Sequence, residues 1–277
     1  MPTAASPDSQ STVANTVVNN KDSQIILYEF PLNEQVRTYL RLENLLDAQL
    51  KLQNRDSKIS HVGALHNLLE ILDCLDRGDI KGDLLKELEQ QKLHFQQLAE
   101  SPYIDELKLK TFLTQLQKIF QWISHYPGKF GSKLRKERFI ELINNRMRIP
   151  GGSCSFGLPE LHQFLHQPFA QRLLRFEQWF SHFSGLHQCL KILLRLFREN
   201  APFALRTAYA GRYQHNFDKS SNPQMVRIKL DSSEPCFPEV SGSKHCFNIR
   251  FLIPNKSEHE ADIVACDQQR QFEIAIC

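Results

Sequence analysis

The hydrophobic positions of this chain change period twice. Residues 24–30, QIILYEF, are a short apolar and aromatic run closed by Pro31, a composition that suits a strand rather than a helix. From Asn33 the spacing becomes helical, with Val36, Leu40, Leu42, Leu45, Leu46 and Leu50 separated by charges. Asn33 is the predicted helix start, its side-chain oxygen placed to accept from a free amide of the first turn. A second stripe, Val62, Leu65, Leu69, Leu72 and Leu75, stops at Gly78. A third covers Leu84, Leu85, Leu88, Phe95 and Leu98. A fourth follows Pro102, runs from Leu107 and Leu109 through Leu116 to Ile123, and ends before Tyr126-Pro127-Gly128. The same spacing predicts helices at 134–147, 158–167, 169–183 and 186–199, joined by short connections as in an antiparallel bundle.

After Asn200-Ala201-Pro202 the pattern alternates, in Met225–Leu230, His245–Phe251 and RQFEIAI at 270–276, which is the period of half-buried strands. The expected fold is α+β: an all-α bundle over 32–200, then a small antiparallel β domain over 201–277. Residues 24–31 are expected to return to that domain as a strand of its sheet. Residues 1–23 are rich in Ser, Thr, Asn, Asp and Ala and offer little apolar burial to offset the entropy of ordering, so a disordered tail is expected. No internal repeat is present.

Composition narrows the function classes. At 277 residues and 41% hydrophobic, the chain can bury a sizeable core. A net charge of +3 makes no global demand for a polyanionic partner, so any basic function is local. No run approaches the roughly 20 apolar residues of a membrane helix, and the start has neither a basic n-region nor an apolar core, which points to the cytoplasm. Seven scattered cysteines without a CxxC pair fit reduced thiols.

Three motifs carry candidate chemistry. His162 and His166 stand four apart on a predicted helix, a spacing that zinc accepts, yet position 163 is glutamine where the hydrolase pattern needs glutamate, and no third ligand is evident. The run Ile149–Gly157, IPGGSCSFG, is neither a phosphate loop nor a nucleophile elbow; Cys154 reads as a buried, inert thiol. Its glycines instead allow a tight loop that presents backbone amides to a carboxylate. Just before it, residues 129–148 hold seven basic side chains (Lys129, Lys133, Arg135, Lys136, Arg138, Arg146, Arg148) against Glu137 and Glu141, a local +5. Such a run is either a solvated helix face or an anion-recognition surface of forked arginine donors. Arg227, Lys229, Lys244 and Arg250 could extend it into the β region. With no aromatic-interleaved basic stripe, nucleic acid is the weaker alternative partner.

The segments PLNEQVRTYLRLE (31–43), GALH (63–66), RGDIKGDLLKELEQQ (77–91), IPGGSCSFGLPELHQFLH (149–166), APF (201–203) and PEVSGSKHCFNIRF (238–251) resemble the ZapD family in content and order, over about 27–277. The resemblance implies a helical domain with a β domain, a homodimer, no enzymatic activity and no cofactor. It also implies a partner, the C-terminal peptide of the tubulin-like GTPase FtsZ, whose filaments the dimer would cross-link into bundles at the mid-cell division site. The family's basic peptide-binding positions fall on Arg41 in the PLNE helix, Arg138 before the IPGG loop, His162 in the LPxLH segment, and Lys244 and Arg250 in the β domain. Where close relatives have arginine, this sequence has Cys246, which removes one positive contact.

Overall fold

The computed structural model describes residues 24–98, 106–218, 221–243, 245–254 and 263–277. A first strand, β1 (Ile25–Pro31), precedes the helices α1 (Glu34–Gln53), α2 (Lys58–Asp76), α3 (Ile80–Leu98), α4 (Glu106–His125), α5 (Ser132–Arg135), α6 (Arg138–Met147), α7 (Pro159–Leu165), α8 (Phe169–Ser181) and α9 (Ser184–Glu199). The remaining strands follow: β2 (Ala204–Ala208), β3 (Arg212–Asn216), β4 (Met225–Asp231), β5 (Phe237–Gly242), β6 (Cys246–Pro254), β7 (Ile263–Ala265) and β8 (Arg270–Ile276). The α+β expectation therefore holds, with β1 pairing antiparallel to β4 far along the chain.

The helix starts have local causes. Asn33 Oδ1 accepts from the Val36 amide at 2.8 Å, and its Nδ2 donates to Gln224 Oε1 at 2.9 Å, so one side chain caps α1 and ties it to the approach to β4. Val36, Tyr39, Leu42 and Leu46 of α1 then meet Leu65, Leu68, Ile71 and Leu72 of α2 in the bundle core, with α9 adding Leu190, Leu193, Leu194 and Phe197. Full burial of each such side chain is worth about 1.5–3 kcal/mol. The close approach of α9 to α4 depends on Gly185, where a Cβ would meet the Trp122 ring at 2.4 Å.

The single helix expected over 134–147 is two. Between them Glu137 is extended (φ −68°, ψ 126°), and its carboxylate accepts from Trp179 Nε1 at 2.9 Å and from Arg175. A tertiary bond thus takes the residue out of the helix.

The β part is two sheets rather than one. The first has the order β1-β4-β8-β2; the second has β3-β6-β5, with β7 also on β6. Val226, Ile228, Leu230, Phe272 and Ile274 of the first face Phe247, Ile249 and Phe251 of the second. The opposite face of the first sheet contributes Met225, Ala275 and Cys277 to the helical core, so that sheet is the middle layer.

The same middle layer corrects the basic surface expected across the β region. Arg227 Nε donates to Glu29 at 3.0 Å and its Nη1 to the Arg198 carbonyl at 2.9 Å. Lys229 pairs with Glu273 at 3.3 Å, its amine 3.8 Å from the centre of the Phe203 ring. Both cations face the junction with the helices and are neutralised there, because outward positions of β4 lie under the bundle's edge.

One buried polar cluster gives the fold a pH dependence. Arg172 Nη1 donates to His61 Nδ1 at 2.8 Å, which leaves Nε2 to donate to the Gln53 carbonyl at 3.1 Å; Arg172 also donates to Asp56 at 2.6 Å and to the Gln167 carbonyl. Burial pushes the imidazole below its ordinary value against the pull of its bond to Gln53, and the Arg172 charge adds to the depression. A histidine held neutral in the folded state resists a proton that the unfolded chain accepts. Stability from this site is therefore complete above pH ~6.5 and lost as the pH falls from there toward the depressed value. Urea unfolding of the wild type between pH 7.5 and 5 is expected to show that loss, and His61→Gln to flatten it. An equal slope in the two proteins would place the acid sensitivity elsewhere.

Candidate functional site

Arg41 lies on the exposed flank of α1, above a groove of about 700 Å³ between α1, the end of α2 and the start of α3. Half-buried Leu45 gives the groove apolar surface above the buried Tyr39 and Ile80, and Arg41, Cys74 and Arg77 line it beside them. Burial pushes the Cys74 thiol up, while the nearby charges of Arg41 and Arg77 pull it down, so both guanidinium groups act on one point. Arg77 is the C-cap residue of α2, where a cation also meets the helix's free carbonyls favourably.

Two further arginines reach the groove's edge from the other side of α2. Arg135 Nη1 and Nη2 donate to Asp73 Oδ1 at 3.2 and 3.3 Å, and Arg148 Nη2 stands 3.8 Å from Asp73 Oδ2. Asp73 itself lines the groove, with Glu34, Glu70 and Asp83. Two arginines, Arg41 and Arg77, thus line the groove beside four carboxylates, and Arg135 and Arg148 approach it through Asp73. Arg135 is taken by Asp73. Among the described residues Arg41 has only Glu34, at 4.0 Å and with both side chains more than half exposed, a pair that contributes little. Arg77 makes no ion pair among the described residues. The forks of Arg41 and Arg77 are the ones able to receive a carboxylate from outside.

Arg138 opens α6, at the opposite end of that helix from Arg148, and Nη2 donates to Glu160 Oε2 at 2.7 Å while the side chain stays 77% exposed. His162 is exposed on α7, its ring centroid 4.3 Å from that of His166. Among the described residues no group of three or more His, Cys, Asp or Glu could hold a metal ion. Arg250 lies in a different place again, on the outer face of the second sheet, where Nη2 meets Glu239 at 2.7 Å and Arg212 is its partner in register on β3. These two arginines, with Gln214, Glu239, Ser241 and Asn248, line a hollow of about 570 Å³. Lys244 lies outside the described residues.

The structure therefore groups Arg41 with Arg77, Arg135 and Arg148, sets Arg138 near His162 through Glu160, and leaves Arg250 with Arg212. Arg135 and Arg148 belong to the charge excess at 129–148, whereas Arg77 is marked only as the first residue of the family-like segment 77–91 and Arg212 carries no signal beyond its type. The IPGG loop departs from expectation at Cys154, which is exposed rather than buried. The amides of Gly152, Cys154, Gly157 and Leu158 bond to carbonyls of the loop itself.

A family model, ZapD, described as a cell division protein, matches residues 40–250. The chain belongs to the ZapD family. The cell division protein ZapD of Escherichia coli O1:K1 / APEC is 36% identical over 255 residues, covering 91% of this chain and 98% of that protein. The ZapD of Shigella boydii serotype 18 shares the same identity and coverage. Arg41, Arg77, Arg138, His162 and Arg250 all fall inside the residues that match the ZapD model. Among the described residues no helix is long and apolar enough to cross a membrane.

Proposed function

We propose that this ZapD-family chain is a cytoplasmic division factor that, as a homodimer, binds the C-terminal peptide of FtsZ and cross-links FtsZ filaments at mid-cell. The observation that carries the reading is the pair Arg41 and Arg77, two guanidinium forks that line one groove without a firm ion-pair partner among the described residues, in a member of a cell division family. Arg41 and Arg77 supply forked donors for the carboxylates of such a peptide, and Leu45 offers apolar surface to its apolar side chains. Arg138, His162 and Arg250 offer further positive positions, apart from the groove, where other carboxylates of the peptide are held; Lys244, outside the described residues, is proposed with them. A dimer with two such surfaces bridges two filaments, each of which repeats the peptide many times, so modest single-site affinity becomes strong bundling through effective concentration. No bond is made or broken in this activity.

The test is sedimentation and light scattering of FtsZ polymerised with GTP, with and without this protein, beside FtsZ that lacks its C-terminal peptide. Pelleting and scattering are expected to rise only with intact FtsZ. Bundling that persists without the peptide would remove the peptide from the reading, and no bundling with either would overturn the reading itself.

A further inference from the structure

The loop between α6 and α7 holds a phenylalanine in water. Phe156 is 87% exposed and Ile149, at the loop's other end, 51% exposed, while Leu158 two residues on is buried in the bundle core. Slack does not explain this. Ile149 N bonds to the Arg146 carbonyl at 3.0 Å, Gly152 N to Ile149 at 2.9 Å, Cys154 N to Gly151 at 3.1 Å, and the amides of Gly157 and Leu158 both to Cys154 at 2.9 Å. Gly151 is left-handed (φ +70°), and at Gly152 a Cβ would stand 2.0 Å from the Arg146 carbonyl oxygen, so this turn is closed in a form that only glycine admits. The backbone is hydrogen-bonded on both sides of Phe156, and the turn between holds its ring out in water. Exposed rigid aromatics are the residues on which interfaces concentrate their binding energy.

The surroundings select the occupant. Arg146 and Arg148, which precede the loop, are exposed; Arg146 makes no ion pair among the described residues, and Arg148 only the long one to Asp73. Lys133 and Lys136, exposed in the preceding turns, likewise make none. Exposed arginines leading into a loop that carries an exposed aromatic match a peptide that alternates carboxylates with apolar side chains.

We propose that Phe156, seconded by Ile149, is the apolar anchor of the acidic peptide, whose carboxylates face Arg146 and Arg148. This rests on the peptide-binding reading above and names side chains that reading does not use. The peptide's own apolar residues cover the Phe156 ring, and the surface of this chain that is apolar when free becomes dry when bound.

The experiment is fluorescence anisotropy of a labelled FtsZ C-terminal peptide titrated with the full chain as wild type, Phe156→Ser and Phe156→Trp, with sedimentation velocity of each protein alone. Phe156→Ser is expected to weaken binding about thirtyfold with unchanged circular dichroism and melting, as for loss of an interface anchor. Phe156→Trp is expected to keep binding and to shift its emission to the blue when peptide is added. Equal affinities of wild type and Phe156→Ser would overturn the anchor and leave the peptide-binding reading standing. No peptide binding by the wild type would overturn both. A Phe156→Ser protein that sediments as a smaller species would assign the aromatic to contact with a second copy, and so overturn the peptide as its occupant.

Discussion

Arg198→Met is expected to lower the unfolding free energy by about 3 kcal/mol, the range for breaking a buried ion pair. For a chain of this size that corresponds to a fall in melting temperature of roughly 8 °C. The guanidinium makes four bonds to two carboxylates: to Glu29 at 2.9 and 2.8 Å and to Glu43 at 2.9 and 2.6 Å. Glu29 lies on β1, Glu43 on α1 and Arg198 on α9, and Arg227 of β4 completes the square through Glu29. None of the four side chains is more than 24% exposed. The two carboxylates, with Glu43 first, raise the affinity of Arg198 for its proton against the opposing effect of burial, so its guanidinium stays charged. Removing its centre leaves two poorly solvated carboxylates facing one remaining arginine, and their desolvation is no longer offset. Urea unfolding with calorimetry checks the figure. Adding Glu29→Gln and Glu43→Gln to the variant should recover part of the loss, because neutral amides need no cation. A loss below about 1 kcal/mol would mean that water already solvates the carboxylates as it does at a surface pair.

That network also shows why some of the molecule was legible in the sequence and some was not. The four-residue stripes of α1, α2 and α4 and the alternation of β4 and β8 are periodic because each buries one face continuously, so position in the chain reveals position in the fold. β3, RYQHN, holds no comparable apolar alternation; it exists by pairing with β6, a partner more than thirty residues away. The break at Glu137 depends on Trp179 and Arg175, and the neutralisation of Arg227 on a glutamate 198 residues distant. The same holds for the site. Arg138 stood out because its charge excess is local, and Arg41 was singled out only by family resemblance, since an arginine among leucines on a helix looks like any solvated residue. Arg77 and Arg212 become candidates only when folding sets them beside Arg41 and Arg250. Exposure of Phe156 is equally unreadable from sequence, where a phenylalanine two residues before a buried leucine looks like core.

Charge reversal separates the basic surfaces that the fold keeps apart. Arg138→Glu is expected to abolish FtsZ bundling while costing the fold less than about 1 kcal/mol, because the pair with Glu160 is exposed and such pairs contribute little. The new carboxylate would stand beside Glu160 and repel an acidic peptide where the wild type attracts it, a change worth roughly 30- to 100-fold in single-site affinity. Cross-linking needs both sites of a dimer engaged at once, so the loss enters twice and a modest binding defect becomes a complete bundling defect. Arg41→Glu is expected to act as strongly through the groove, since Arg41 has no firm internal partner. Arg250→Glu should act less, because Arg250 is less exposed than Arg138 (51% against 77%) and lies on the second sheet, apart from the groove. Pelleting of FtsZ with each variant, together with its melting curve, reads the order directly. Intact bundling by Arg138→Glu would take the N-terminal end of α6 out of the binding surface, and equal losses in all three would mean that the peptide reads net charge rather than place.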